Sequence, residues 1–109
     1  MNNKAIKFAT ELVPLILTGE KTSTWRLFDD KDLQTGDQIE LFEFGQDQPF
    51  ATAVISTVVE TTFGKLTAED KAGHEDYSDD QDMYDTFSGY YKTEVGSDTE
   101  LKIIHFEVK

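Results

Sequence analysis

The sequence predicts an α+β domain built as one curled sheet or small β-barrel with short helices at its ends. Three observations lead there. Short runs rich in β-branched and aromatic residues recur along the chain, parted by Gly, Asp and Pro turn signals. Helical spacing is confined to brief stretches near residues 10–18 and 66–93. The resulting order, β-α-β-β-β-α-α-β, groups strands together instead of alternating them with helices, which separates it from the parallel α/β folds. The 109 residues hold 38% hydrophobic side chains, with eight Phe and four Tyr. That is material for one core, and residues 1–109 are expected to form one domain.

The elements follow in order. Ala5, Ile6 and Phe8 mark a first strand. Thr10 is placed to cap a short, mostly buried helix carrying Leu12, Val13, Leu15, Ile16 and Leu17. Pro14 is tolerated near the start of that helix, and Gly19 is a natural residue to end it. Residues 22–28, rich in Thr and aromatics, read as a strand. Residues 29–36 are polar and loop-like, closing on the turn Thr35-Gly36-Asp37. Residues 38–44 and 50–60 should form an antiparallel hairpin. Phe42 and Phe44, coming after Ile39 and Leu41, point to a bulge in its first strand or to a strand crossing between faces. Thr67 should cap one short helix. Ser78 or Asp79 should cap another, running to about residue 93, with Met83, Tyr84, Phe87, Tyr90 and Tyr91 on one face. Residues 101–108 close the sheet, with Ile104, Phe106 and Val108 on one side and His105 turned outward or toward a cleft edge.

Charge narrows the function. With 22 Asp+Glu against 10 Lys+Arg, the net charge is −12. Such a chain is not built to hold long DNA or an anionic membrane by non-specific attraction, although a locally basic pocket remains open to it. It has no cysteine and two histidines. That excludes thiolate zinc sites and cysteine nucleophiles and disfavours a histidine-rich metal site, so no cofactor is expected. The apolar stretch around residues 12–17 is too short to span a bilayer, and the first residues carry no secretory pattern; a cytoplasmic location is the expectation.

The one arginine and the one tryptophan are neighbours, in Gly19-Glu20-Lys21-Thr22-Ser23-Thr24-Trp25-Arg26. Strand alternation sends Thr24 and Arg26 to one side and Ser23 and Trp25 to the other. Lys21, at the helix-to-strand corner, is within reach of the Thr24 side. A hydroxyl becomes a useful nucleophile only beside a base, and a lysine serves as that base when burial or a nearby cation favours its neutral form. Arg26 is such a cation. The plainer reading is a solvated lysine, a structural strand threonine and an arginine paired with one of many carboxylates. Glu69, Asp70, Glu75, Asp76, Asp79, Asp80, Asp82 and Asp85 crowd one segment beside Lys71. Capping and solvation account for most of them, and the spacing and glycine of a calcium loop are absent. The aromatic stripe of the last helix reads as core before it reads as a base-stacking platform.

Gly19-x-Lys21-x-x-Thr24-x-Arg26 after a short helix resembles the signature of the ASCH domain, a relative of the PUA domain. Residues 73–77, Asp82-Met83-Tyr84 with Phe87, Tyr90 and Tyr91, and Lys102-Ile103-Ile104-His105-Phe106-Glu107 resemble its C-terminal block. The resemblance spans the chain. It implies a small PUA-like β-barrel of about five to six strands with flanking short helices, and a cleft for RNA or a nucleotide. Some small bacterial members similar to this chain are amidohydrolases that deacylate N4-acetylcytidine with a Lys, a Thr and a Glu. By motif these fall on Lys21, Thr24 and Glu75, with Arg26 and Tyr84 as substrate-binding residues. The implied partner is a nucleoside, a modified base or an RNA end. The alternatives are a non-catalytic RNA- or nucleotide-binding domain, or a ribonuclease with Lys21 and Arg26 at the phosphate.

Overall fold

The computed structural model describes residues 4–27, 31–74 and 76–109. The predicted strand end at Phe28, the start of the following loop and Glu75 lie outside the described residues. Five runs of β-formers become strands: β1 (Lys4–Phe8), β2 (Ser23–Arg26), β3 (Gln38–Glu43), β4 (Ala51–Thr62) and β5 (Glu100–Val108). The helices are α1 (Val13–Thr18), α2 (Ala68–Lys71) and α3 (Asp80–Tyr91). The strands make one mixed sheet in the order β1-β3-β4-β5-β2, curled into a half-barrel. The fold is α+β and consistent with a PUA-like barrel.

β1 runs parallel to β3, and every other pairing is antiparallel. The hairpin of β3 and β4 forms as the turn residues dictate, Ile39 opposite Ala53 and Leu41 opposite Ala51. The bulge falls elsewhere than Phe42 and Phe44 suggested. β3 ends at Glu43, Phe44 leaves the sheet, and the register slips at Ser56 of β4, between Ile55 and Thr57. An extra residue on one strand reverses which side chains face which way. Ala53 and Ile55 pack on one side of the sheet, and beyond the bulge Val58 takes that side while Val59 takes the other.

The sheet therefore serves two cores. Ile6, Phe8, Ile16, Leu33, Ile39, Leu41, Ile104 and Phe106 form the first, beneath α1. Trp25, Phe63, Met83, Phe87, Val95, Leu101 and Ile103 form the second, beneath α3. β5 is buried on both faces at Ile103 and Ile104, more than the single apolar face read from alternation, because a central strand between two cores has no wet side. Val108, expected on the buried side, is 40% exposed at the strand end.

Helix termini follow capping chemistry at two of three sites. Thr67 and Asp70 form a reciprocal capping box on α2, and the Asp79 side chain accepts from Asp82 N on α3. Thr10 does not cap. Its hydroxyl donates to Glu43 Oε2 at 3.0 Å, and residues 10–12 form a 3-10 turn ahead of α1. Within α1 only Ile16 is buried. Gly19 ends it in the left-handed region at φ 84°.

A single ion pair, Lys4 Nζ to Asp37 at 2.8 Å, ties β1 to the turn before β3 among the described residues. The Lys4 hydrogen bond, then the Gln34 amide, hold the Asp37 carboxyl below its ordinary 3.8, aided by the charge of Lys102. A folded value below the unfolded one adds stability above the unfolded value, lost as pH falls through the folded one. Lys4→Gln is expected to cost less than about 1 kcal/mol at pH 7, since both groups are partly exposed. In urea titrations the variant and the parent should converge as pH falls below 3.8 and through the lowered value of the folded Asp37.

Candidate active site at the open seam

β1 and β2 are the outermost strands of the curled sheet and do not pair with each other among the described residues. Between them opens a cleft of about 330 Å³, within the size range of small-molecule sites. Ile6 and Phe8 of β1 border it on one side, and Thr24, Trp25 and Arg26 of β2 on the other. Alternation in β2 does what the sequence implied. Ser23 and Trp25 are buried, whereas Thr24 and Arg26 are half-buried.

Lys21 is the unusual residue. It is 3% exposed, and its Nζ donates to Ser23 O at 2.7 Å. The turn after α1 places it: Lys21 N donates to Leu15 O at 3.0 Å. An amine taken out of water needs polar company, and here a main-chain carbonyl supplies part of it. Lys21, Thr24 and Arg26 thus border one cleft. Tyr84 does not. Its ring meets the edge of Phe63 at 6.0 Å, against the second core. Tyr84 shares a helix face with Tyr91, but lies about 10 Å nearer the start of α3, short of the cleft. Tyr90 and Tyr91 border the cleft in its place.

The loop after α2 adds His74 to the cleft on the β2 side. Gly73 O accepts from Thr22 N at 2.8 Å and from Ser23 N at 3.2 Å, pinning the loop to the start of β2. Only glycine suits this contact. Its φ is +76°, and a Cβ there would overlap Thr22 Oγ1. The next residue, His74, stacks on Trp25 with centroids 3.9 Å apart and planes 16° from parallel. Trp25 also stacks on Phe87 at 5.7 Å. Beside this stack, Ser23 Oγ and Trp25 Nε1 are buried without a hydrogen-bond partner among the described residues.

Sequence reasoning missed His74, Phe44, Tyr90 and Lys7 as cleft residues. Phe44 and Tyr90 are 62% and 69% exposed, although both were read as strand or helix apolar positions. The signal for Phe44 was its place next to Gly45, past the end of the alternating run. For His74 it was the glycine before it. A larger groove of about 650 Å³, bordered by Glu60, Lys65, Glu100 and Lys102, contains none of the predicted site residues. The smaller cleft has the buried amine, the hydroxyl, the guanidinium and the aromatic walls.

No protein-family model matches the chain, and no curated protein does. Solved structures do. An ASCH domain from Lactobacillus crispatus JV V101 superposes with a TM-score of 0.72 at 20% identity, covering 98% of this chain and 79% of that one. A DUF984 protein from Enterococcus faecalis V583 gives a TM-score of 0.78 at 20% identity, covering 100% of this chain and 77% of that one. The ASCH protein of Zymomonas mobilis gives 0.67 at 12% identity, over 94% of this chain and 65% of that one. The likeness lies in the course of the backbone, and on that basis the chain has the ASCH-domain fold.

Proposed function

We propose that the cleft hydrolyses the exocyclic amide of an N4-acylated cytidine. Lys21 Nζ takes the proton of Thr24 Oγ1, and the threonine oxygen attacks the acyl carbonyl. Arg26 steadies the negative charge on the tetrahedral intermediate. Glu75 gives a proton to the departing cytosine amine, leaving the acyl group on Thr24, and then takes one from the attacking water, while Lys21 returns its proton to Thr24 Oγ1 as the acyl group leaves. The observation that supports this reading is the nearly complete burial of Lys21, a residue that borders the same ligand-sized cleft as Thr24. The reaction requires the neutral form of that lysine, the form able to accept a proton.

The test is incubation with N4-acetylcytidine. Cytidine and acetate should appear together, Thr24→Ala should abolish their release, and Thr24→Ser should keep part of it. No release by the parent protein removes the reaction for this substrate. The second reading, a module that binds a modified base without cleaving it, is favoured by the exposed rings of Phe44 and Tyr90 at the cleft. It predicts binding of N4-acetylcytidine with no acetate formed.

A further inference from the structure

The charge of the cleft is opposite to that of the molecule. Over the whole chain, carboxylates outnumber Lys+Arg by 22 to 10. Among the described residues bordering the cleft the order reverses, Lys7, Lys21 and Arg26 against Glu11, and cations still lead when the Glu75 of the proposed mechanism is added. A neutral nucleoside requires one amine and one guanidinium for the chemistry above, and both are assigned. Lys7 is surplus to it. It projects from β1 between the buried Ile6 and Phe8, is exposed, and has no ion-pair partner among the described residues. A cation kept unpaired in so acidic a protein, next to the cleft, sits where an anionic part of a ligand is drawn. Phe44 and Tyr90 present exposed rings at the same cleft, and a planar base stacks on such surfaces with little regard to its edge groups.

We infer that the ligand of this cleft is a cytidine nucleotide and not a free nucleoside, with its terminal phosphate on Lys7 and its base against Phe44 or Tyr90. The inference rests on the reading of the cleft as a cytidine site, not on the amide being cleaved there. A lysine meets phosphate as a point charge, with no demand for two-pronged geometry, which suits an exposed side chain on an edge strand.

Calorimetric titration with cytidine, cytidine 5′-monophosphate and inorganic phosphate tests it apart from catalysis. The monophosphate should bind about fivefold more tightly than cytidine at low salt, consistent with roughly 1 kcal/mol for one charge pair in water. Its affinity should fall with added salt while that of cytidine stays level. Lys7→Gln should shrink the preference to twofold or less with an unchanged melting temperature. The double variant Phe44→Ala/Tyr90→Ala should weaken both ligands alike. A 5′-phosphorylated trinucleotide beginning with cytidine presents the same phosphate, and its affinity relative to the monophosphate tells a free nucleotide from an RNA end. Equal binding of cytidine and its monophosphate, a preference that survives Lys7→Gln, or no binding of either overturns the inference. Acetate release reports on the reaction separately: a protein that binds the monophosphate and cleaves no amide loses the mechanism and keeps the phosphate site.

Discussion

Lys21→Met is expected to lower amide hydrolysis by about 10³-fold while leaving the melting temperature unchanged or raised. A positioned proton acceptor contributes about 10² to 10⁴ in rate, and methionine offers none. Stability should not follow the rate, because Lys21 is 3% exposed. Keeping its amine from water costs desolvation, which the hydrogen bond to Ser23 O offsets in part alongside its other contacts. Methionine keeps most of the apolar stem without that cost. Ser23 O loses a donor, which limits the gain. Side-by-side rates and thermal melts check this. A variant that melts far lower while keeping its activity would make Lys21 a structural strut and end its role as the base.

Gly73→Ala is expected to destabilise the protein by about 2 kcal/mol or more and to suppress activity further than Thr24→Ser does. Two causes add. The residue sits at φ +76°, where a side chain costs about 1–2 kcal/mol, and its Cβ would overlap Thr22 Oγ1 and come within 3.2 Å of Thr22 Cβ. The loop relieves the clash by lifting from β2, which breaks the bonds from Thr22 N and Ser23 N and draws His74 off Trp25. The chain has one tryptophan, so its fluorescence reports that stack directly. In a Thr22→Ala background the same glycine substitution should cost less, since the overlapping oxygen is gone and the dihedral cost remains. An equal cost in both backgrounds would assign the whole effect to the dihedral.

What the sequence made legible was local. The Thr67 and Asp79 caps, the β3–β4 hairpin and the alternation along β2 each depend on residues a few positions apart, and each formed. The failures were contests that neighbours cannot settle. Thr10 had a capping position but found Glu43 on another element. Tyr84 and Tyr90 have equal claims to a helical stripe, and only the placement of α3 over the sheet puts Tyr90 at the cleft and Tyr84 on Phe63. The slip at Ser56 left no mark in composition, because β4 is β-branched on both sides of it. For the site, the motif showed which side of β2 Thr24 and Arg26 take. It did not show that the sheet stays open between β1 and β2, and that opening is what makes a cleft.

β2, which carries Thr24 and Arg26, has β5 as its strand neighbour, with Trp25 opposite Ile103 and Thr24 opposite Ile104. About three quarters of the polymer separates these partners. Contacts so remote in the chain pay their loop-closure entropy before they return anything, which slows their formation. Pairing of β2 with β5, which sets Thr24 and Arg26 in place, is therefore expected to be a slow step. During refolding, recovery of turnover should lag behind recovery of secondary structure.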